Sequence, residues 1–185
     1  MTTATAALAT GTWTGDPVHS DIAFQVRHMG VGRVRGSFAL SSAVLTVGDD
    51  GLGSAAVTAV VDAASVRTGN DQRDQHVRSA DFLDVAQYPT IEFTSTGVRA
   101  FGATFTLLGD LTIHGVTRAV ELAAECHGVV ADPSGADRAG FTARTTISRA
   151  AFGVDIKLLF GAGQAVVADA IEIVVDIEFV ADGER

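Results

Sequence analysis

The stretch that decides the fold is Ala168-Asp-Ala-Ile171-Glu-Ile173-Val-Val175-Asp-Ile177-Glu-Phe179-Val180. From Ile171 to Phe179 every second residue is apolar, and all but one of the residues between them are acidic. Because successive side chains of a β-strand point to opposite faces, this period of two predicts a strand with one buried and one solvent-facing side.

The same alternation recurs along the chain in short segments that turn residues separate. These segments are residues 22–28, 34–40, 54–61, 90–98, 103–108, 109–114, 119–129, 140–148 and 168–180. Gly48-Asp-Asp-Gly51 is typical of a tight turn. Roughly eight or nine strands with this spacing predict an all-β protein, either a sandwich or a closed barrel.

One helix interrupts the predicted strands. Asn70 is a good N-cap, and Asp71 stands in the first turn, where the helix dipole favours an anion. The pattern predicts a short helix that ends at about Arg78, and Pro89 then forces the chain to extend.

The length of 185 residues fits one domain. We expect residues 12–181 to form that domain, between a disordered tail at residues 1–11 and a short tail at residues 182–185. The N-terminus has no basic residue ahead of its short apolar stretch, whereas a secretion signal begins with one. Cys126 is the single cysteine and cannot form an internal disulfide, so we expect a reducing, cytoplasmic location.

Composition narrows the partners that the protein can bind. Hydrophobic residues make up 47% of the chain and the mean hydropathy is +0.29, yet no apolar run reaches the ~18 residues of a membrane-spanning helix. The excess of apolar residues therefore belongs to a core or lines a cavity. A net charge of −9 argues against nucleic acid as a partner and does not favour an anionic membrane surface.

No motif in the sequence assigns an enzyme or a cofactor. Gly30-Val-Gly32-Arg-Val-Arg-Gly36 has the wrong spacing for a dinucleotide-binding loop, and a hairpin turn explains its glycines better. The five histidines show no metal-ligand spacing with one another or with Cys126, so we assign neither a metal nor a cofactor. Cys126 shares a face with Leu122 and Ala124, which favours a buried and unreactive thiol.

His28 is the one candidate acid–base group that we place on a predicted interior face, because it follows Phe24 and Val26 in the alternation. One interpretation is a core histidine that is hydrogen-bonded to a neighbour. The other is a polar group that orients a ligand inside a mostly apolar cavity.

The predicted helix begins the densest charged stretch of the chain, residues 73–82. One interpretation is a solvated helix face with local ion pairs. The other is a helix at a barrel mouth that places Arg73, His76 or Arg78 near an anionic head group. We favour a structural role for these three residues, in folding the helix back onto the barrel.

Ordered motifs extend over most of the chain, from about residue 12 to residue 180. They are Trp13, Asp16, His19-Ser20, Phe24-Gln-Val-Arg27-His28-Met29-Gly30, Arg35-Gly36-Ser-Phe38, Asp62-Ala-Ala-Ser65-Val-Arg-Thr68-Gly-Asn70, Arg73-Asp74-Gln-His76-Val-Arg78-Ser79-Ala-Asp81-Phe82-Leu-Asp84-Val85, Tyr88-Pro89-Thr-Ile91-Glu-Phe93, Gly109-Asp-Leu-Thr112-Ile-His-Gly115 and Arg149-Ala-Ala-Phe152-Gly153. With these motifs in this order, the sequence resembles the YceI family of polyisoprenoid-binding, lipocalin-like proteins.

The resemblance implies an extended antiparallel barrel of about eight strands, closed by one short helix around an elongated apolar interior. It also implies binding of an isoprenoid or fatty-acyl lipid, such as a polyprenyl lipid or a quinone-like tail, commonly by a homodimer. Many relatives begin with a secretion signal, and from its N-terminal pattern we expect this chain to differ from them in that respect.

The candidate ligand-binding residues combine the interior faces with the matched motifs. They are Phe24, Val26, His28, Phe38, Phe82, Ile91, Phe93 and Phe152, with Arg73, His76 and Arg78 as candidates at the helix. Three functions remain open at this point. The first, which we favour, is non-catalytic binding, storage or transport of a long apolar ligand. The second is a filled barrel with a structural or protein-interaction role, and the third is an enzyme that acts on an apolar substrate.

Overall fold

A computed structural model describes residues 8–99, 102–161 and 163–183 of the chain. Its elements, in chain order, are β1 (Gly11–Gly15), β2 (Asp21–His28), β3 (Gly32–Gly48), β4 (Gly51–Arg67), α1 (Asp71–Arg78), β5 (Thr90–Arg99), β6 (Thr104–Ile113), β7 (Val116–Ala131), β8 (Asp137–Ser148), a 3-10 turn (Ala150–Phe152), β9 (Leu159–Phe160), β10 (Gln164–Ala165) and β11 (Val167–Ala181).

Eight antiparallel strands close into a barrel. They follow one another in the ring as β2, β3, β4, β5, β6, β7, β8 and β11, and β11 pairs with both β8 and β2. Closure leaves no free sheet edge in this ring, so every long strand has partners on both sides. The predicted all-β barrel of about eight strands with one short helix is confirmed.

The first strand, β1, lies end to end with β2 and not beside it. Both pair with β11 on one side and with β3 on the other, β1 near the end of β11 and β2 along its middle. The segment between them, residues 16–20, leaves the ladder. The barrel therefore has one interrupted strand, which explains nine strands in a ring of eight.

Two predicted strand boundaries are wrong. Residues 103–108 and 109–114 form the single strand β6, and residues 34–40 are only the first part of the longer strand β3. Gly109 looked like a break because glycine weakens a strand. In the barrel, the Phe93 ring of β5 covers Gly109 so closely that a side chain at this position would collide with it. Gly36 stands under the Phe24 ring in the same way.

The base of the barrel is filled by an apolar cluster. The turns at this end are residues 49–50 and 132–136, and the chain enters and leaves it through β1 and the end of β11. Trp13 is 1% exposed there and Val47 is equally buried, with the edge-to-face pair of Phe141 and Phe179 above them. The Cys126 side chain is buried in this cluster too, as predicted, and burial raises the pKa of its thiol.

The ordered structure begins earlier than the sequence predicts. Leu8 packs against the base cluster, the Ala9 carbonyl accepts a hydrogen bond from the Trp13 indole, and Gly11 already pairs with Val47. The predicted tail boundary at residue 11 is therefore too late. At the other terminus, Asp182 still bonds to β1 through its backbone N–H. Residues 1–7 and 184–185 lie outside the described residues.

The helix α1 lies at the opposite end, the mouth, within the connection from β4 to β5. The Asn70 side chain accepts a hydrogen bond from the Arg73 N–H at 2.9 Å, so the predicted N-cap is confirmed. Asp74 is 6% exposed and accepts hydrogen bonds from both the N–H and the hydroxyl of Thr68. Among the described residues, the helices lack the length and apolarity needed to cross a membrane.

An ion network on the outer surface holds the base together. The Arg138 guanidinium of β8 bonds to Asp16 at 2.8 Å, to Asp132 at 3.0 Å and to Glu178 at 3.2 Å. It thereby joins the β1–β2 segment, the β7–β8 turn and β11. The hydrogen bond from Arg138 holds the pKa of Asp16 well below its usual range, and bonds from Ser134 and Arg138 do the same for Asp132.

Removing Trp13 tests the role of the base cluster. Trp13→Ala leaves a large void under Phe141 and Phe179, so we expect the free energy of unfolding to fall by about 3–5 kcal/mol. Urea unfolding followed by circular dichroism measures it, since the chain has no other tryptophan for fluorescence. Val18→Ala is the control because Val18 is 85% exposed. Equal losses in both variants would contradict the role assigned to the cluster.

The Arg138 network predicts a particular pH dependence. A depressed carboxyl pKa contributes stability above the unfolded value of about 3.9 and loses it as the pH falls through the folded value. Arg138→Gln should therefore be less stable than the wild type at neutral pH, and the two should converge in strong acid. Urea midpoints across this range measure the difference. Arg144→Gln is the control, because Arg144 is exposed on β8 and forms no ion pair within the described residues. A pH-independent deficit in Arg138→Gln would contradict the assignment.

Candidate functional site

The barrel encloses a cavity of about 460 Å³ that opens at the mouth. This volume lies within the range of about 300–1,000 Å³ that is usual for small-molecule sites. All eight strands of the ring contribute inward side chains to its wall. The apolar part of that wall includes Ile22, Val34, Leu40, Leu45, Val57, Val61, Leu107, Leu111, Leu122, Val175 and Ile177.

Most of the predicted ligand-binding residues lie in this wall. Those that line the cavity are Phe24, Val26, His28, Phe38, Phe82, Ile91, Phe93, Phe152, Arg73 and His76. Phe24 and Phe38 are in contact, with ring centroids 5.3 Å apart. The strand residues face inward because they occupy every second position, whereas Phe82 and Phe152 reach the cavity from the connections at the mouth.

Arg78 is the predicted site residue that the cavity wall does not include. Its Nε donates to the Ala64 carbonyl at 2.6 Å, and its Nη2 donates to the Val66 carbonyl at 2.7 Å. These two bonds tie the end of α1 to the end of β4. The predicted structural role is thus observed for Arg78. A contact with a ligand head group is not supported, since the guanidinium points to β4.

Arg73 and His76 occupy the mouth and are each held by protein partners. Arg73 donates from Nε to the Thr68 hydroxyl and from Nη2 to the Thr68 carbonyl. The His76 ring lies 3.0 Å from Asp81 through Nε2 and stands edge-on to Phe82, with centroids 5.0 Å apart. These contacts hold the helix over the opening, so both residues border the cavity while they also organise its lid.

His28 ends β2 at the same mouth. Within the described residues its imidazole forms neither a side-chain hydrogen bond nor an ion pair, although its backbone carbonyl accepts from Val31. The interpretation as a core histidine bonded to a neighbour therefore has no support. The remaining interpretation, a polar group that faces the cavity opening, agrees with its position.

Two parts of the wall were missed by the sequence analysis. Arg149 donates to the carbonyls of Val154, Ile156, Val167 and Ala168, and so ties the segment directly after β8 to the start of β11 at the mouth. The motif that starts at Arg149 was recognised in the sequence, but only for its match to the family. Thr145 was also missed, although it follows Ala143 at the spacing of inward residues on β8.

The chemistry of the wall changes from the mouth to the interior. Its ionisable residues are Arg27, His28, Arg73, His76, Glu92 and Arg149, and all of them belong to the mouth ends of strands or to the connections there. Thr145 is the polar residue deeper in the described wall. Such a cavity can hold an apolar chain inside and a polar group at the opening.

One group of residues has the composition of a metal site. Ligand atoms of Asp16, His19 and Glu178 lie within 4.8 Å of one another on the outer surface of the base. Arg138 Nη1 already bonds to the carboxylates of both Asp16 and Glu178. A cation there would compete with a bound guanidinium, so we assign the group to the ion network and not to a metal.

Comparison with known proteins identifies the family. The model of the YceI-like domain matches residues 13–179, which is nearly the whole barrel. The chain belongs to the YceI family. Protein YceI of Escherichia coli O6:H1 is 36% identical over 140 residues, which are 76% of this chain and 73% of the relative. The resemblance seen in the sequence motifs is confirmed.

Solved structures agree with this assignment. The crystal structure of BcnA from Burkholderia cenocepacia superposes with a TM-score of 0.72, covers 89% of this chain and 98% of BcnA, and is 23% identical. A structure described as a polyisoprenoid binding domain from Saccharophagus degradans, implicated in plant cell wall breakdown, has a TM-score of 0.69 at 16% identity. It covers 91% of this chain and 98% of that domain. At these identities both likenesses concern the fold.

Replacing one small residue of the cavity wall by a large one tests whether the cavity is open in solution. Ala59 lines the cavity from β4, opposite Phe93 of β5, so Ala59→Phe places a ring in the space. We expect the affinity for an apolar fluorescent dye to fall about tenfold or more. Ala56→Phe is the matched control, because Ala56 is exposed on the same strand. Equal dye binding by both folded variants would show that the dye does not enter the cavity.

Proposed function

We propose that the protein binds and carries a long apolar ligand, of the isoprenoid or fatty-acyl class, inside the barrel. The observation that carries the proposal is the continuous apolar wall, with its ionisable groups confined to the mouth. Burying one CH₂ group contributes about 0.8 kcal/mol, so a chain of many carbons gains affinity without any strong polar contact. The entropy lost when the ligand chain and the residues at the mouth become ordered offsets part of this gain.

The ligand class is supported by the family and by the shape of the site. The Saccharophagus degradans domain with the same fold is described as polyisoprenoid-binding, and the described part of this chain has the same barrel. Phe24, Phe38 and Phe93 offer flat, adaptable surfaces to a branched or unsaturated chain. Cationic groups at Arg73 and Arg149 suit a ligand whose polar end stays at the opening.

We propose a non-catalytic role because the described wall offers little acid–base machinery. A catalytic site needs a titratable group within hydrogen-bond reach of a partner and of the substrate. Among the residues that the structure describes, His28 has no such partner, and His76 is paired with Asp81 at the rim of the mouth. The buried thiol of Cys126 is far from the thiolate state that a nucleophile requires, since burial raises its pKa.

A filled barrel with a structural or interaction role is the second candidate. The small side chains in the wall favour a carrier, because Ala55, Ala59, Ala124 and Ala143 point inward and leave room between the larger residues. Space of this kind inside a stable barrel is costly unless a ligand occupies it.

A cytoplasmic location and a homodimer are further proposals, supported respectively by the single cysteine and by the resemblance to the family.

Native mass spectrometry of the protein purified from cells tests the carrier role. We expect adducts with lipid masses, and we expect Phe93→Asp to lose them, because a carboxylate in the apolar wall is strongly disfavoured. Thr94→Asp is the control, because it adds the same charge at the next residue, which is exposed and outside the cavity wall. Far-UV circular dichroism verifies that each variant folds. A mass without adduct from gently purified wild type, together with no uptake of a fluorescent polyprenyl analogue, would contradict the proposal.

A further inference from the structure

An exposed apolar rim surrounds one side of the mouth. We define the apolar rim as Met29, Val31, Leu158 and Leu159, whose exposed fractions are 38%, 87%, 40% and 62%. Backbone hydrogen bonds join its two halves, from the Met29 N–H to the Val166 carbonyl and from the Val166 N–H to the Leu158 carbonyl, both at 2.8 Å. The rim is therefore one surface built from the β2–β3 turn, the residue before β9 and the first residue of β9.

The turn geometry presents these side chains outward. Met29 has a φ of +51° and Gly30 a φ of +73°, and the Val31 N–H returns to the His28 carbonyl. Methionine rarely adopts a left-handed conformation, and it costs about 1 kcal/mol or more. An apolar side chain held in this conformation at an exposed tip gains nothing from the barrel core.

Basic residues flank the apolar rim. Arg27 and Arg33 are paired across the hairpin, and Arg35 is the next residue but one on β3; Arg27 also borders the cavity at its opening. All three are exposed, and none of them forms an ion pair with the described carboxylates. Lys157 stands beside Leu158, with Asp155 at 3.7 Å. On the β11 side of this end, Asp169 accepts a hydrogen bond from the Ala150 N–H and Glu172 accepts one from Gln25, while Asp71, Asp74 and Asp81 stand at helix α1.

The base of the barrel carries the opposite charge. Asp49 and Asp50 form the β3–β4 turn, Asp137 begins β8, and Asp182 follows β11. The arginines without an ion pair among the described carboxylates are concentrated at the β2–β3 hairpin, whereas helix α1, elsewhere at the mouth, carries Asp71 and Asp74 in its first turn. The overall charge does not favour an anionic surface, but the local charge at the β2–β3 hairpin does.

We propose that this end of the protein docks on an anionic lipid bilayer. The exposed rim inserts its apolar side chains into the interface, and Arg27, Arg33 and Arg35 lie against the anionic head groups. Leu158 belongs both to the rim and to the cavity wall. A ligand that passes between the bilayer and the cavity at this point avoids water. The docking surface goes beyond the proposed carrier function and stands on exposure and charge alone.

Vesicle co-flotation tests the docking surface, with vesicles of phosphatidylcholine alone and of phosphatidylcholine mixed with phosphatidylglycerol. We expect the wild type to bind the anionic vesicles preferentially, and less strongly as salt screens the charges. Arg33→Gln should lower the partition coefficient about fivefold, the factor that corresponds to about 1 kcal/mol per basic residue near an anionic surface. Val31→Asp should lower it about tenfold or more, since it removes an apolar contact and adds a repelled charge.

Matched controls lie away from the mouth. Val18→Asp makes the same change at a valine that is 85% exposed, in the segment between β1 and β2. Arg144→Gln removes an exposed arginine of β8. Both should bind vesicles as the wild type does. Equal binding by Val31→Asp and Val18→Asp, or no preference of the wild type for anionic vesicles, would overturn the proposal. Preferential docking by a protein that takes up no lipid would support the surface and contradict only the carrier function.

Discussion

The pairing of β11 with β2 on one side and with β8 on the other is the interaction on which the rest of the structure depends. It closes the sheet, and in a closed sheet of eight strands the inward residues meet around a common axis. Each inward position then either fills the interior or borders a space. The alternation in β11 thus places Ile171, Ile173 and Val175 in the cavity wall, while the residues between them face outward.

The two ends of the barrel are closed by different interactions. At the base, Trp13 and Val47 complete an apolar cluster, and the Arg138 network outside it ties three segments of the chain together. At the mouth the closing elements are a helix and the segment after β8, and arginines hold both of them by hydrogen bonds to backbone carbonyls. Arg78 anchors α1 to β4, and Arg149 anchors the segment directly after β8 to the start of β11. Apolar packing therefore stabilises the base, whereas hydrogen bonds from arginines to backbone carbonyls stabilise the mouth.

Much of the fold could be predicted from the sequence, because the period of two and the Asn70 cap are local signals. The inward position of Phe24 and Phe93 follows from the same alternation. What local patterns cannot show is how segments meet in the closed barrel. Gly109 looked like the end of a strand because only the folded structure reveals the Phe93 ring above it. The hydrogen-bond partners of Arg78 could not be predicted for the same reason, because they are backbone carbonyls and no residue type in the sequence marks them.

The distribution of charge on the barrel affects how the molecule is oriented as it approaches a charged surface. The exposed arginines of the β2–β3 hairpin and the carboxylates of the turns at the base give the barrel a separation of charge between these two places, which acts as an electric dipole. Near a negatively charged surface the field exerts a torque on such a dipole, and the field of a surface acts over a distance set by the ionic strength. In the docking we propose, this torque turns the β2–β3 hairpin toward the bilayer during the approach, although the net charge of the molecule is repelled.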